Sequence, residues 1–145
     1  MTEYSPVDPL VRNAEQIARR AHEGQFRRDG FTPYIVHPRA VAARVAGDVV
    51  AEAVAWLHDV LEDTDETADT LAAAGIPTQV IDSVKRLTKP DGAEYQAYLA
   101  IIRKDPIARK VKMADMLANL ADHPTERQVR KYAKGLLILL DDDGS

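Results

Sequence analysis

The sequence has no cysteine, a single tryptophan and only two phenylalanines in 145 residues. Without thiols it can form neither a disulfide framework nor a thiolate metal site, so any bound metal must rely on nitrogen and oxygen ligands. The same absence suits a reducing cytoplasm. Positive charge is not in excess either: 19 Lys and Arg stand against 23 Asp and Glu, a net charge of −4. That balance argues against a broad nucleic-acid surface, so a phosphorylated ligand would have to be drawn by a local cationic cluster or a metal. Arg19, Arg20, Arg27 and Arg28 crowd one early segment. No basic stretch followed by an apolar one opens the chain, and no uncharged run approaches the ~18 residues of a membrane span. The apolar block Leu136 to Leu140 is far too short for one. What is present, 46% hydrophobic and 29% charged residues, is the ordinary composition of a soluble globular protein. A chain of this length suits one domain that buries about two-thirds of its unfolded surface.

Helix signals recur along the chain. Asp8-Pro9 reads as an N-cap with proline at the first helical position, followed by Leu10, Ala14, Ile17, Ala18 and Ala21 at helical spacing and by Gly24 as a stop. A loop with Gly30 and Pro33 leads to His37-Pro38, which opens a second helix bearing Val41, Ala42 and Val45. A central helix is expected from Val50 to about Asp63, and a short one from Thr67 to Ala74. Others carry Val80, Ile81, Val84 and Leu87, then Tyr95, Tyr98, Leu99 and Ile102. Asp105-Pro106 caps a helix whose apolar face is Ile107, Val111, Ala114 and Leu117; Pro124-Thr125 opens the last, through Val129, Tyr132, Leu136 and Leu140. No segment alternates with period two. The pattern predicts an all-α bundle of seven or eight helices, one domain over 1–145 with its core at about 8–140. Residues 1–7 read as a loose leader and Asp141–Ser145 as a frayed acidic end.

The stretch that departs most from this pattern is Ala55-Trp56-Leu57-His58-Asp59-Val60-Leu61-Glu62-Asp63-Thr64. On one helix His58 would sit under Glu62 and Asp59 under Asp63, giving two adjacent rows of proton- or metal-binding groups. Such a cluster is costly to bury unless a positive charge lies among its members. Asp115, within Val111 to Leu117, is a carboxylate at the core boundary, and His37 stands just before a helix where a side chain can enter a cleft. Together His37, His58, Asp59 and Asp115 form a mixed nitrogen and oxygen set suited to Mn or Fe, or to Zn or Co, with positions left for water. The ion would lower the pKa of that water and polarise a phosphoryl oxygen. Glu62 and Asp63 would then orient the water or carry its proton.

In chain order, four motifs resemble the hydrolase half of the RelA/SpoT stringent-response enzymes. They are His22-x-Gly24-Gln25-x-Arg27, Gly30 to Pro33-Tyr34-Ile35-x-His37-Pro38, His58-Asp59-x-x-Glu62-Asp63-Thr64 and Lys112-x-Ala114-Asp115-x-x-x-Asn119. The nearest likeness is to the stand-alone small alarmone hydrolases of the HD superfamily, over roughly residues 10 to 140. Each motif alone is weak, but the ordered set is specific. The resemblance implies an all-helical HD domain with a metal, usually Mn2+, on His37, His58, Asp59 and Asp115. It implies that Glu62 and Asp63 carry the proton chemistry, and that the 3′-pyrophosphate is removed from ppGpp or pppGpp to leave GDP or GTP. Arg27 resembles the residue that packs on guanine, a role its planar guanidinium suits. Asn119 resembles a nucleoside contact, and Arg28 and Lys112 phosphate contacts.

Two departures bear on base specificity: Gly30-Phe31-Thr32-Pro33 is one residue longer than the Gly-x-Pro form of the long enzymes, and Asp122 stands where they tend to have threonine. An alternative substrate is therefore another nucleotide, an adenine alarmone or a 2′- or 3′-phosphorylated cofactor such as NADPH. A non-catalytic nucleotide sensor is a third reading, against which the intact Glu62-Asp63 pair argues. The chain has no room for a synthetase domain, so alarmone synthesis is not expected. The expected partner is a small nucleotide, with no nucleic acid and no membrane; a homodimer is left open.

Overall fold

Local chemistry starts most of the helices. Asp8 accepts a hydrogen bond from the Leu10 N–H at 2.8 Å and Pro9 occupies the first position of α1 (Pro9–Ala21), as its sequence requires. Gly24, at φ +83°, lets the chain leave α1 for a loop that ends in α2 (Val36–Arg44). The computed structural model describes residues 7–141, so all but one residue of both the expected leader and the expected acidic end lie outside the described residues. The remaining helices are α3 (Val49–Leu57), α4 (Val60–Asp63), α5 (Ala68–Ala73), α6 (Thr78–Leu87), α7 (Tyr95–Arg103), α8 (Pro106–Leu120) and α9 (Glu126–Leu140). Among the described residues no strand forms, and the sole extended pairing there is an isolated bridge between Phe26 and Pro33. No helix among the described residues is long and apolar enough to cross a membrane.

The all-α expectation holds. Counting α3 and α4 as one interrupted helix gives eight. Helix α3 is apolar apart from Glu52 in its first turn, and six of its nine residues (Ala51, Ala53, Val54, Ala55, Trp56 and Leu57) are buried. It is accordingly the central element, with α1, α2, α6 and α8 packed around it. Helix α9 packs on α7 and α8, where Gly135 lets the Met116 side chain come close.

Two sequence expectations need correction. The helix expected from Val50 to Asp63 is broken at His58-Asp59, because the His58 ring takes the carbonyl that helix continuation would use. Nδ1 lies 2.6 Å from the Ala55 oxygen, and Asp59 turns to φ −106°, ψ −2°. The expected apolar face of α8 is also rotated. Met116 and Asp115 are buried, whereas Leu117 is 46% exposed.

Candidate metal centre

The break in the central helix sends neighbouring side chains to different places. His58 turns inward beside His37 of α2 and Asp115 of α8, all three buried, with their ligand atoms within 4.8 Å of one another. Asp59 joins Glu62 and Asp63 in a second, more exposed group of the same tightness. The two rows expected on one helix thus become an inner and an outer cluster. Asp59 links them, its Oδ2 lying 3.1 Å from His58 Nε2.

His58 provides the test of whether these residues suit a cation. Its Nδ1 faces a carbonyl oxygen and must carry the proton, so in the neutral ring Nε2 holds the lone pair. That buried nitrogen has no hydrogen-bond partner, and it faces two carboxylates, Asp59 Oδ2 at 3.1 Å and Asp115 Oδ1 at 3.5 Å. A lone pair opposed to two anions requires a positive charge between them, either a proton or a metal ion. Burial opposes a charge on His58, but the Asp59 and Asp115 carboxylates outweigh it and hold its pKa well above the ordinary value. Either cation answers the electrostatics; two imidazoles with two carboxylates are also a fitting donor set for a divalent metal.

Both carboxylates of this group are held by neighbouring donors. Asp115 Oδ1 lies 2.6 Å from His37 Nε2 and accepts from Asn119 Nδ2 at 3.3 Å, while its Oδ2 accepts from Lys112 Nζ at 2.9 Å. Burial alone would raise the Asp115 carboxyl, but the Lys112 charge, with the two histidines, keeps it well below the usual range. Asp59 accepts a hydrogen bond from the Tyr34 hydroxyl. Burial and the neighbouring carboxylates push that phenol far above its ordinary pKa, so it remains a donor. In the outer cluster the Asp63 carboxyl is raised by partial burial and by the charges of Asp59 and Glu62, as a proton-carrying group needs.

Cavities lie on either side. One of about 690 Å³ is lined by Arg27, Arg28, Tyr34 and Asp122, with Phe26 at its wall. Arg27 donates to Asn119 Oδ1 and to Asp122 Oδ2, each at 3.3 Å, and lies 5.7 Å over the Tyr34 ring. The other, about 580 Å³, is lined by Glu62, Lys89, Tyr95, Tyr98, Lys112 and Lys131. Of the ten residues singled out from the sequence, Arg27 and Arg28 line the first cavity and Glu62 and Lys112 the second, His37, His58, Asp59, Asp63 and Asp115 lie in the two clusters, and Asn119 bonds both Asp115 and Arg27. Arg28 is the outlier, exposed at the far wall, and Lys112 is engaged with Asp115 as well as facing the lysine-lined cavity.

The sequence motifs contain Gln25 and Tyr34 but assign no role to them, nor to Lys89 and Lys131. Tyr34 had a usable signal, since it stands three residues before His37 and shares its side of the turn. His22 Nδ1 lies 2.8 Å from Gln25 Oε1, while its buried Nε2 has no hydrogen-bond partner.

No family model matches the chain. A probable GTP pyrophosphokinase of Mycobacterium leprae is 31% identical over 144 residues, covering 90% of this chain and 18% of that protein. A guanosine-3′,5′-bis(diphosphate) 3′-pyrophosphohydrolase of Haemophilus influenzae is 39% identical over 112 residues, 73% of this chain and 16% of the relative. The chain thus spans less than a fifth of the length of these curated relatives. A solved structure described as a metazoan ortholog of SpoT that hydrolyses ppGpp superposes with a TM-score of 0.75 at 26% identity, over 96% of this chain and 89% of that one. Because the helical frame and the sequence likeness run together over nearly the whole length, this chain is related to the hydrolase domain of the RelA/SpoT proteins.

Proposed function

We propose that the chain is a divalent-metal-dependent phosphohydrolase that removes the 3′-pyrophosphate of ppGpp or pppGpp, leaving GDP or GTP. The observation that carries the reading is the buried lone pair of His58 Nε2 set against two carboxylates. The names of the relatives supply the substrate class. His37, His58, Asp59 and Asp115 are the residues that would hold the ion, with Mn2+ as the expected metal and Zn, Co or Fe as substitutes. When bound, the ion lowers the pKa of a water and polarises a phosphoryl oxygen.

The chain's own groups do the rest. Glu62 and Asp63 stand beside Asp59 and orient the attacking water. Asp63, with its raised pKa, takes the proton and returns it to the ribose 3′ oxygen as the bond to phosphorus breaks. Arg27 presents its guanidinium to the base from a position fixed by Asn119, Asp122 and Tyr34. Asn119 is the nucleoside contact. Arg28 on one side and Lys112 on the other attract phosphates, and Lys89 and Lys131 extend the cationic wall beside Lys112.

Asp122 favours keeping a second substrate in view, an adenine alarmone or NADPH, because its carboxylate sits in the nucleoside-side cavity bonded to Arg27. Purified protein with and without Mn2+ is assayed on a panel of ppGpp, pppGpp, an adenine alarmone and NADPH. Pyrophosphate release from the guanosine alarmones that requires Mn2+ is the expected result. Turnover of another panel member alone replaces the substrate, and no turnover of any removes the enzymatic reading.

A further inference from the structure

Tyr34 touches both sides of the proposed site. Its hydroxyl donates to Asp59 Oδ2 on the metal side, and its ring lies 5.7 Å beneath the Arg27 guanidinium on the nucleotide side. The ring is wedged against His22 at 4.8 Å and His37 at 6.1 Å. His22 is itself held by Gln25, whose amide nitrogen donates to the Asp63 carbonyl at 2.8 Å. That amide can be turned only one way, since the flipped form would set oxygen against oxygen. The loop from His22 to Tyr34 therefore grips the 59–63 segment at both ends, by the backbone of Asp63 and the side chain of Asp59.

Charge explains why Asp59 needs the grip. Its carboxylate lies among those of Asp115, Glu62 and Asp63, all of which repel it. The Tyr34 hydroxyl donates to it, while His58 Nε2 lies 3.1 Å away without forming a hydrogen bond. With Nδ1 bonded to the Ala55 carbonyl, the neutral His58 ring offers Asp59 no donor at Nε2. The Tyr34 hydroxyl is then the hydrogen bond left to hold that carboxylate inward.

Resting on the metal-hydrolase reading above, we propose that Tyr34 is a positioning residue with two separable tasks: its hydroxyl holds Asp59 toward the cation, and its ring carries Arg27 on the nucleotide side. Tyr34→Phe removes the first task alone, and Tyr34→Leu removes both. The full-length protein and each variant are titrated with Mn2+, read by the loss of the free-ion paramagnetic resonance signal, and their KM for ppGpp is measured at saturating Mn2+. Loss of a supporting hydrogen bond to a ligand weakens metal affinity about 10- to 100-fold. Tyr34→Phe is expected to show that loss with KM unchanged, and Tyr34→Leu to show the same loss with KM raised at least severalfold. Mn2+ affinity within twofold of the wild type in Tyr34→Phe overturns the proposal, as does an equal KM in all three proteins. If Tyr34→Phe does not fold, Gln25→Leu carries the test, because it releases the same loop while leaving Tyr34 intact. A severalfold loss of Mn2+ affinity is expected there, and none overturns the proposal. Wild-type protein that binds Mn2+ but never turns over ppGpp defeats the substrate reading instead, and leaves the affinity measurements to decide on Tyr34.

Discussion

Helix α8 carries a carboxylate at its start, Asp105, and another ten residues on, Asp115, and the polar groups gathered at the first are balanced differently from those where the second meets His58. Asp105 accepts from the Ile107 and Ala108 N–H groups through one oxygen, and from the Ser83 hydroxyl and Arg86 through the other. Four donors meet one anion. Around His58 Nε2 the balance is inverted, since one nitrogen lone pair faces the carboxylates of both Asp59 and Asp115. The first arrangement is complete within the protein and serves the fold. The second is incomplete until a cation arrives, and buried groups left in that state point to function.

The sharpest way to break the comparison is to remove an anion from the incomplete centre. Asp59→Ala is expected to abolish Mn2+ binding, read by metal analysis of the dialysed protein, and to lower kcat/KM by on the order of 10³-fold or more. Unchanged metal content and turnover would sink the shared mechanism. Next in size is Asp63→Asn, which touches the proton path and leaves the ligands in place. Its kcat should fall about 10²-fold with the metal stoichiometry intact; a parallel loss of metal would move Asp63 among the ligands.

Asp105→Ala tests the complete centre and should act on stability alone, costing about 1–2 kcal/mol in denaturant unfolding with kcat unaltered. Burial would raise this carboxyl, but the Ala108 N–H, Ser83 and Arg86 outweigh it and depress its folded-state pKa. Its contribution is therefore full above the unfolded value of about 4 and fades as the pH falls through the lower folded value. The stability gap between wild type and Asp105→Ala should close in acid; a gap that persists there assigns the cost to packing. The smallest effect belongs to the exposed pair of Lys110 and Asp48, 3.1 Å apart on the surface. Lys110→Ala should change stability by less than about 1 kcal/mol, with a difference that shrinks further in high salt.

The helix starts at Asp8-Pro9, Asp105-Pro106 and Thr125 were legible because capping is written in adjacent residues. The break at His58 was not, because it depends on a ring nitrogen capturing the Ala55 carbonyl, which residue spacing does not express. Hydrophobic spacing misplaced Leu117 for a related reason. The buried face of α8 keeps Val111 and Ala114 but takes in Asp115, which reaches His37, and the neighbouring Met116 instead of Leu117. The four ligand candidates could be named from residue type and from the family resemblance. The links that hold them, Tyr34 to Asp59 and His37 to Asp115 across 78 positions, exist only once the chain has folded.

The central claim is that four side chains from three distant segments share one divalent cation. Anomalous diffraction from a crystal soaked in manganese tests it directly. One strong peak bounded by His37, His58, Asp59 and Asp115 is the expected result. An empty inner cluster, or a peak held only by Asp59, Glu62 and Asp63 at the surface, would contradict it.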